Sequence, residues 1–393
     1  MQADKPDNHA QHAPHDHSTG DGGLTEVSPP PVTGARRRDH LQRAAVRRED
    51  LWLRGTDYSR DDVRQAMAAD QMLHLDMDFT NDCDINCFYC DRTVDRFDEA
   101  KKRELTTEKR KELIAAAKQL GARTVEFPGA GEPMIDPGFW EVIEFIHRHG
   151  MTPVIFTNGS QIDDAAAQRL YDLGASVFLK YSCFDAKAND RLVGKAGYTV
   201  SARQALDRLL RLGFNDPVPT RLAIDMIIMK RHTLESIGEV HRWCRDNNIH
   251  HYISTLIPEG LADKKVRHQE KERSDEMLEY IRRIDAEEFG LDYDPSRPMA
   301  GGYRCRQVNV GLFVNIYGEV YDCNGLGRPL GNVFKESLAD VWNSKLAQRV
   351  RRPIQDGFCL VRERVWKGTD KHGIERKMDG LYNIRLPSQA GTT

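Results

Sequence analysis

The segment MLHLDMDFTNDCDINCFYC, residues 72–90, decides how the rest of the chain is read. Its first half, residues 72–79, reads as a β-strand. Its second half sets Cys83, Cys87 and Cys90 within eight positions of a chain that has only eight cysteines. Three thiolates cannot close a structural zinc site, which takes four ligands. Iron–sulfur clusters are ordinarily held by four cysteines as well. Three ligands therefore leave one metal position open, and an open position is where chemistry happens.

Strands and helices alternate downstream of this segment. TTEKRKELIAAAKQLG reads as a helix with Thr107 as N-cap and Gly121 as its stop. RTVEFPG is a strand, and DPGFWEVIEFIHRHG is a helix with Asp136 as N-cap and Pro137 in the first turn. TPVIFTNG, ASVFLKYSC, TRLAIDMIIMK and HHYISTLIP continue as strands, separated by the helices DDAAAQRLYDLG, SARQALDRLLRLG and TLESIGEVHRWCRDNN. Six βα units over residues 72–258 predict an α/β fold with a parallel sheet. That number suits a partial (β/α)6 barrel better than a closed eightfold one of about 250 residues. Sites in such folds lie at the C-terminal ends of the strands, and the cysteine triplet follows the first of them.

Composition sets the outer bounds. The net charge is −3 and the isoelectric point near 6.5, so no nucleic-acid footprint is expected. No apolar run approaches the roughly 18 residues needed to cross a bilayer, and the first residues lack a signal-peptide pattern. A cytoplasmic protein with no membrane partner is the expectation. In that compartment clustered cysteines point to metal rather than to disulfides. Residues 1–50 form a polar extension carrying His9, His12, His15 and His17 and then a basic run. Residues 1–35 read as a disordered, solvated tail, although a His-rich tract can also bind metal. Residues 51–71 read as a helical lead-in, 72–265 as the partial barrel, 266–299 as a helical linker, and 300–393 as a second domain with a tail.

The Cys-x3-Cys-x2-Cys spacing resembles the signature of the radical S-adenosylmethionine (radical SAM) superfamily. The resemblance implies a 4Fe–4S cluster held by Cys83, Cys87 and Cys90, whose fourth iron is chelated by SAM. The aromatic residue before the third cysteine is Tyr89 here, and in the family its neighbourhood packs on adenine. GAGEP, residues 129–133, resembles the family's Gly-Gly-Glu-Pro motif, whose backbone takes the SAM amino group. Gly129, Ala130, Gly131 and Glu132 stand in it, with alanine replacing one glycine. TNGS at 157–160 is similar to another strand-end turn of the family. FLKYSCFD resembles a Lys-x-x-Ser-Phe-Asp pattern, with Lys180, Phe184 and Asp185 matching and Cys183 in place of serine. Lys180 joins the expected cofactor-binding set.

The C-terminal part carries Cys305, Cys323 and Cys359. VNVGLFVNI and EVYDC read as a hairpin, GNVF as a short strand and ESLADVWNS as a helix. Alone, such a tail would read equally as a zinc ribbon or a plain hairpin. After the triplet it resembles the twitch auxiliary-cluster domain, which implies a second 4Fe–4S cluster. Its fourth ligand stays open. Cys244 lies in a core helix and reads as a buried structural thiol.

Cys183 at the end of the fourth strand is either a small hydrophobe or a hydrogen donor. Its S–H is weak enough to give a hydrogen atom to a carbon radical, and a serine O–H is not. Residues 72–360 most resemble the twitch radical SAM enzymes of aminoglycoside biosynthesis, hygromycin B-type epimerases among them. The resemblance implies abstraction of hydrogen from C2′ of a pseudodisaccharide by a 5′-deoxyadenosyl radical, return of hydrogen from Cys183, and an external one-electron reductant such as flavodoxin or ferredoxin. Carboxylates would suit a cationic aminoglycoside, with Asp78, Asp185 and Glu259 as candidates, though each can equally be a cap or a surface charge. A dehydrogenase giving a ketone, a peptide-modifying twitch enzyme and a non-enzymatic metal-binding protein remain as rivals.

Overall fold

The computed structural model describes residues 52–90, 104–228, 232–255, 271–291, 307–324 and 328–351. The N-terminal extension, Glu259, Cys305 and Cys359 lie outside them.

Among the described residues, nine strands form one sheet in the order β6-β5-β4-β3-β2-β1-β7-β8-β9. The strands are β1 (His74–Met77), β2 (Thr124–Phe127), β3 (Thr152–Thr157), β4 (Ser176–Lys180), β5 (Leu222–Ile228), β6 (His250–Thr255), β7 (Gly311–Val314), β8 (Glu319–Tyr321) and β9 (Pro329–Asn332). β1 to β6 pair in parallel in chain order. This is the expected six-unit partial barrel. β7 adds to β1 in parallel, and β8 and β9 follow antiparallel. The C-terminal hairpin therefore extends the barrel sheet.

Helices α1 (Arg60–Ala68), α2 (Thr107–Gln119), α3 (Phe139–Arg148), α4 (Asp164–Asp172), α5 (Ala186–Val193), α6 (Tyr198–Arg211) and α7 (Leu234–Asp246) accompany the barrel. α8 (Lys271–Phe289), α9 (Gln307–Val310), α10 (Leu338–Asn343) and α11 (Lys345–Arg351) come after it. The period-2 alternation of the strands sorts side chains between two apolar layers. Leu75, Val125, Ile155, Val177 and Ile224 join the helices in the main core. Leu53, Val154, Phe178, Ala223 and Tyr252 form a smaller cluster on the opposite, inner face.

Several boundaries differ from expectation. The N-cap of α2 is Thr106, which accepts from Lys109 N–H at 3.2 Å. Thr107 is the first helical residue, and its hydroxyl fills the space beside Gly138. Asp136 does not cap α3. It accepts the Gly138 N–H at 2.7 Å after a 3-10 turn at Pro133–Ile135, and α3 starts at Phe139. α5 was not anticipated, because its eight residues carry too short an apolar stripe to show a helical period. Residues 308–310, the start of the expected strand VNVGLFVNI, lie instead in the helix Gln307–Val310. β9 starts two residues before GNVF.

Candidate active site at the C-terminal ends of the strands

The cysteine loop leaves β1 under tight control. Buried Arg110 of α2 donates through Nη2 to the Phe79 carbonyl, and its guanidinium lies 4.5 Å over the Phe79 ring. The Asp82 N–H donates to Thr80 Oγ1 at 3.1 Å. The Asn86 N–H donates to the Val193 carbonyl at 2.9 Å, tying the loop to the end of α5. Gly194 makes this approach possible. It has φ 66°, and a Cβ there would stand 2.5 Å from the Asn86 carbonyl oxygen. Cys83, Cys87 and Cys90 are half-buried on this loop, and none of them forms a disulfide.

GAGEP faces the same loop. The Glu132 N–H donates to the Asp82 carbonyl at 2.8 Å. A Cβ on Gly131 would stand 2.3 Å from Asp82 O and 2.5 Å from Thr80 O, so only glycine fits. Gly129 has φ 145° and Ala130 φ 100°. Among the described residues nothing lies within 4 Å of a Cβ on Gly129, so this backbone borders open space. Glu132 is 1% exposed. Its carboxylate accepts from Thr157 Oγ1 at 2.8 Å, Asn158 N–H at 2.7 Å and Met134 N–H at 3.2 Å. Burial pushes it up to about 7 against the pull of those donors.

The third strand's turn completes the bracket. Asn158 Nδ2 donates to Asp84 Oδ1 at 2.7 Å and lies 3.9 Å from Cys83 Sγ. Lys195 Nζ holds the other Asp84 oxygen at 2.8 Å. From β4, Lys180 Nζ lies 3.2 Å from Asp225 Oδ2 and 5.1 Å from the Tyr89 ring centroid. Tyr198 Oη donates to the Lys180 carbonyl at 2.5 Å.

Cys183 follows β4 at this same end. It is 4% exposed, its Sγ lies 3.5 Å from the Asp185 carbonyl, and burial pushes its thiol up to about 12. It is an S–H group at neutral pH. Asp185 is the N-cap of α5, accepting from Ala188 N–H at 2.7 Å. Asp78 follows β1, with its N–H on the Val314 carbonyl at 2.9 Å. Cys323 follows β8 and is half-buried, 3.8 Å from Asn324 Oδ1. Cys244 is fully buried in α7, and burial raises its thiol.

The structure thus brings together the triplet, Tyr89, residues 129–132 and Lys180. The sequence reading missed Asn158 as a loop brace, and Asp225 as the partner of Lys180. The signal for Asp225 is a lone carboxylate inside the apolar strand LAIDMII.

Three cysteines outside any disulfide on one loop, beside a glycine-dependent backbone that borders open space, suit a cluster with one iron left for SAM. Residues 77–268 match the radical SAM superfamily. Residues 305–361 match SPASM, an iron–sulfur cluster-binding domain. The chain carries a radical SAM domain followed by a SPASM-type domain, and its cofactors are SAM and iron–sulfur clusters. It is similar to mycofactocin maturase MftC of Mycolicibacterium smegmatis, at 24% identity covering 74% of this chain and 75% of that protein. It is also similar to the PqqA peptide cyclase of Granulibacter bethesdensis, at 25% identity covering 74% and 80%. Among solved structures, Streptococcus suis SuiB bound to its precursor peptide SuiA shares the fold. The TM-score is 0.56 at 15% identity, covering 77% of this chain and 75% of that one. Among the described residues no helix is long and apolar enough to cross a membrane.

Proposed function

We propose that the chain is a radical SAM epimerase that inverts a C–H stereocentre, with Cys183 as the returning hydrogen donor. The observation that carries this reading is a thiol held protonated by burial at the strand end that bears the cysteine triplet. When bound, the cluster and SAM supply a 5′-deoxyadenosyl radical that takes hydrogen from a substrate carbon. Cys83, Cys87 and Cys90 hold the cluster. The backbone of Gly129–Gly131 and the ring of Tyr89 receive SAM, and Glu132 keeps that backbone on the cysteine loop. Lys180, paired with Asp225, sits against Tyr89 and fixes it from the barrel side. Cys183 gives its hydrogen atom to the opposite face of the substrate carbon. Its sulfur is left one electron short and takes an electron from the external reductant, with a proton from solvent. Cys323, with Cys305 and Cys359, would hold the auxiliary cluster, which would supply one-electron redox chemistry when bound.

In substrate class, the reading is an aminoglycoside-type pseudodisaccharide inverted at C2′. Its support is the sequence resemblance to that enzyme group. The relatives favour a second reading, a peptide-modifying enzyme. MftC is a maturase, the PqqA cyclase is named for a peptide, and SuiB is bound to one. One experiment separates them. The reconstituted, reduced protein is incubated with SAM in D2O, once with an aminoglycoside pseudodisaccharide and once with a candidate precursor peptide. The epimerase reading expects one deuterium on an inverted sugar carbon and one 5′-deoxyadenosine per turnover. Loss of two hydrogens from the sugar would make the enzyme a dehydrogenase, and a modified peptide with an unchanged sugar would establish the second reading. Normal inversion by Cys183→Ala would end the hydrogen-donor role.

A further inference from the structure

His74, Asp76 and Glu126 form a cluster that the proposed chemistry does not use. His74 and Asp76 alternate on β1 with Leu75 and Met77, which go to the helix-facing core, so the pair points to the inner face. Register sets Asp76 beside Glu126 of β2. The three residues are 2%, 1% and 4% exposed. Each offers a ligand atom, and all three atoms lie within 4.8 Å of one another. His74 Nδ1 stands 2.8 Å from Asp76 Oδ1.

One further observation points to a missing occupant. Glu126 Oε2 is buried and has no hydrogen-bond partner among the described residues. Buried polar atoms of this kind are rare, and each calls for a reason. The His74 ring is also clamped. A Cβ on Gly311 of β7 would stand 2.2 Å from His74 Cε1, so the ring fills the space that glycine leaves. The cluster thus has one imidazole and two carboxylates on strands, with one carboxylate oxygen unpartnered among the described residues.

We infer that His74, Asp76 and Glu126 bind one divalent transition-metal cation inside the barrel, separate from the iron–sulfur sites. Imidazole with two carboxylates suits manganese, ferrous iron or zinc. Such a cation offsets the mutual repulsion of two carboxylates that sheet register places side by side in the buried interior. The cation does not depend on SAM. It ties β1 to β2 below the cysteine loop.

The test uses MnCl2, because manganese prefers oxygen and nitrogen ligands to thiolates. Cluster-loaded full-length protein is stripped of loose divalent ions, equilibrated with MnCl2 and counted for bound manganese. The same is done for Glu126→Gln, and for His74→Gln should the first variant fail to fold. Any manganese on the His-rich tail is common to all and cancels. The inference expects the wild type to hold one manganese ion per chain more than the variant, and its thermal midpoint to rise with MnCl2 while the variant's does not. Equal manganese in both, with no shift in the wild-type midpoint, would overturn it. The cluster would then be a metal-free buried group built around the His74–Asp76 hydrogen bond.

Discussion

The carboxylate of Glu132 accepts the backbone N–H of Asn158 at 2.7 Å while the Glu132 N–H reaches the Asp82 carbonyl at 2.8 Å. One residue thus ties the loops after β1, β2 and β3 together under the cofactor. Glu132→Ala leaves three buried donors unsatisfied and should cost about 2–4 kcal/mol of stability. Urea unfolding of the apoprotein at pH 6 measures the loss.

The same carboxyl has a pH signature. Burial raises it from 4.5 to about 7, so the folded state binds its proton more tightly than the unfolded chain. Its contribution is complete below pH 4.5 and is lost as pH rises through 7, by up to about 3 kcal/mol. Stability of the wild type should fall between pH 5 and 8 relative to Glu132→Gln. Parallel pH profiles for the two proteins would show that the three donors keep Glu132 ionised throughout.

Ala130 holds φ 100°, a region that suits glycine. Ala130→Gly should relieve about 1 kcal/mol of backbone strain, seen as a higher thermal midpoint of the apoprotein. An unchanged or lower midpoint would mean that glycine's extra freedom in the unfolded chain cancels the relief.

Cys183 should resist alkylation. With its thiol near 12, only about one part in ten thousand is thiolate at pH 8. Iodoacetamide treatment of the native apoprotein followed by peptide mapping should leave Cys183 unmodified, and rapid labelling would remove the picture of a closed, protonated donor.

Asp285 of α8 carries a buried network. It receives His241 Nε2 at 2.8 Å and both Nε and Nη2 of Arg245 at 2.8 and 3.0 Å. Arg245 and His241 hold it below the usual carboxylate range despite burial. Asp285→Ala strands a buried guanidinium and should cost about 3–5 kcal/mol. In the wild type this support is present above pH 4 and fades as acid protonates the carboxyl. Guanidinium denaturation from pH 3 to 7 checks both.

Much of this was legible beforehand, for identifiable reasons. The six strands show as short, mostly apolar runs, three of them closed by Gly or Pro, and their parallel order follows from the helices between them. The triplet and GAGEP sit at strand ends, where the chain must turn, so their position was readable with their identity. Side-chain pairing across distant strands was not. Nothing local in LAIDMII says that Asp225 meets Lys180, or in DMDF that Asp76 lies beside Glu126, because register is set by the whole sheet. The cap of α2 shifted by one residue because two threonines compete, and packing against Gly138 claims the second. The substrate class is the least legible, since the relatives point to peptides and the resemblance of the motifs to a sugar.

The parallel pairing of β7 with β1 has a consequence for how the protein is made. β1 sits near the beginning of the described residues and β7 near their end, so the seam between these two strands cannot close until the ribosome has delivered residue 314. Until then β1 has one bare edge beside the loop that will hold the cluster. A nascent chain in this state is slow to complete and open to pairing with strangers. Synthesis rate, chaperone supply and cluster delivery should therefore govern the yield of active protein more than the stability of the finished fold does.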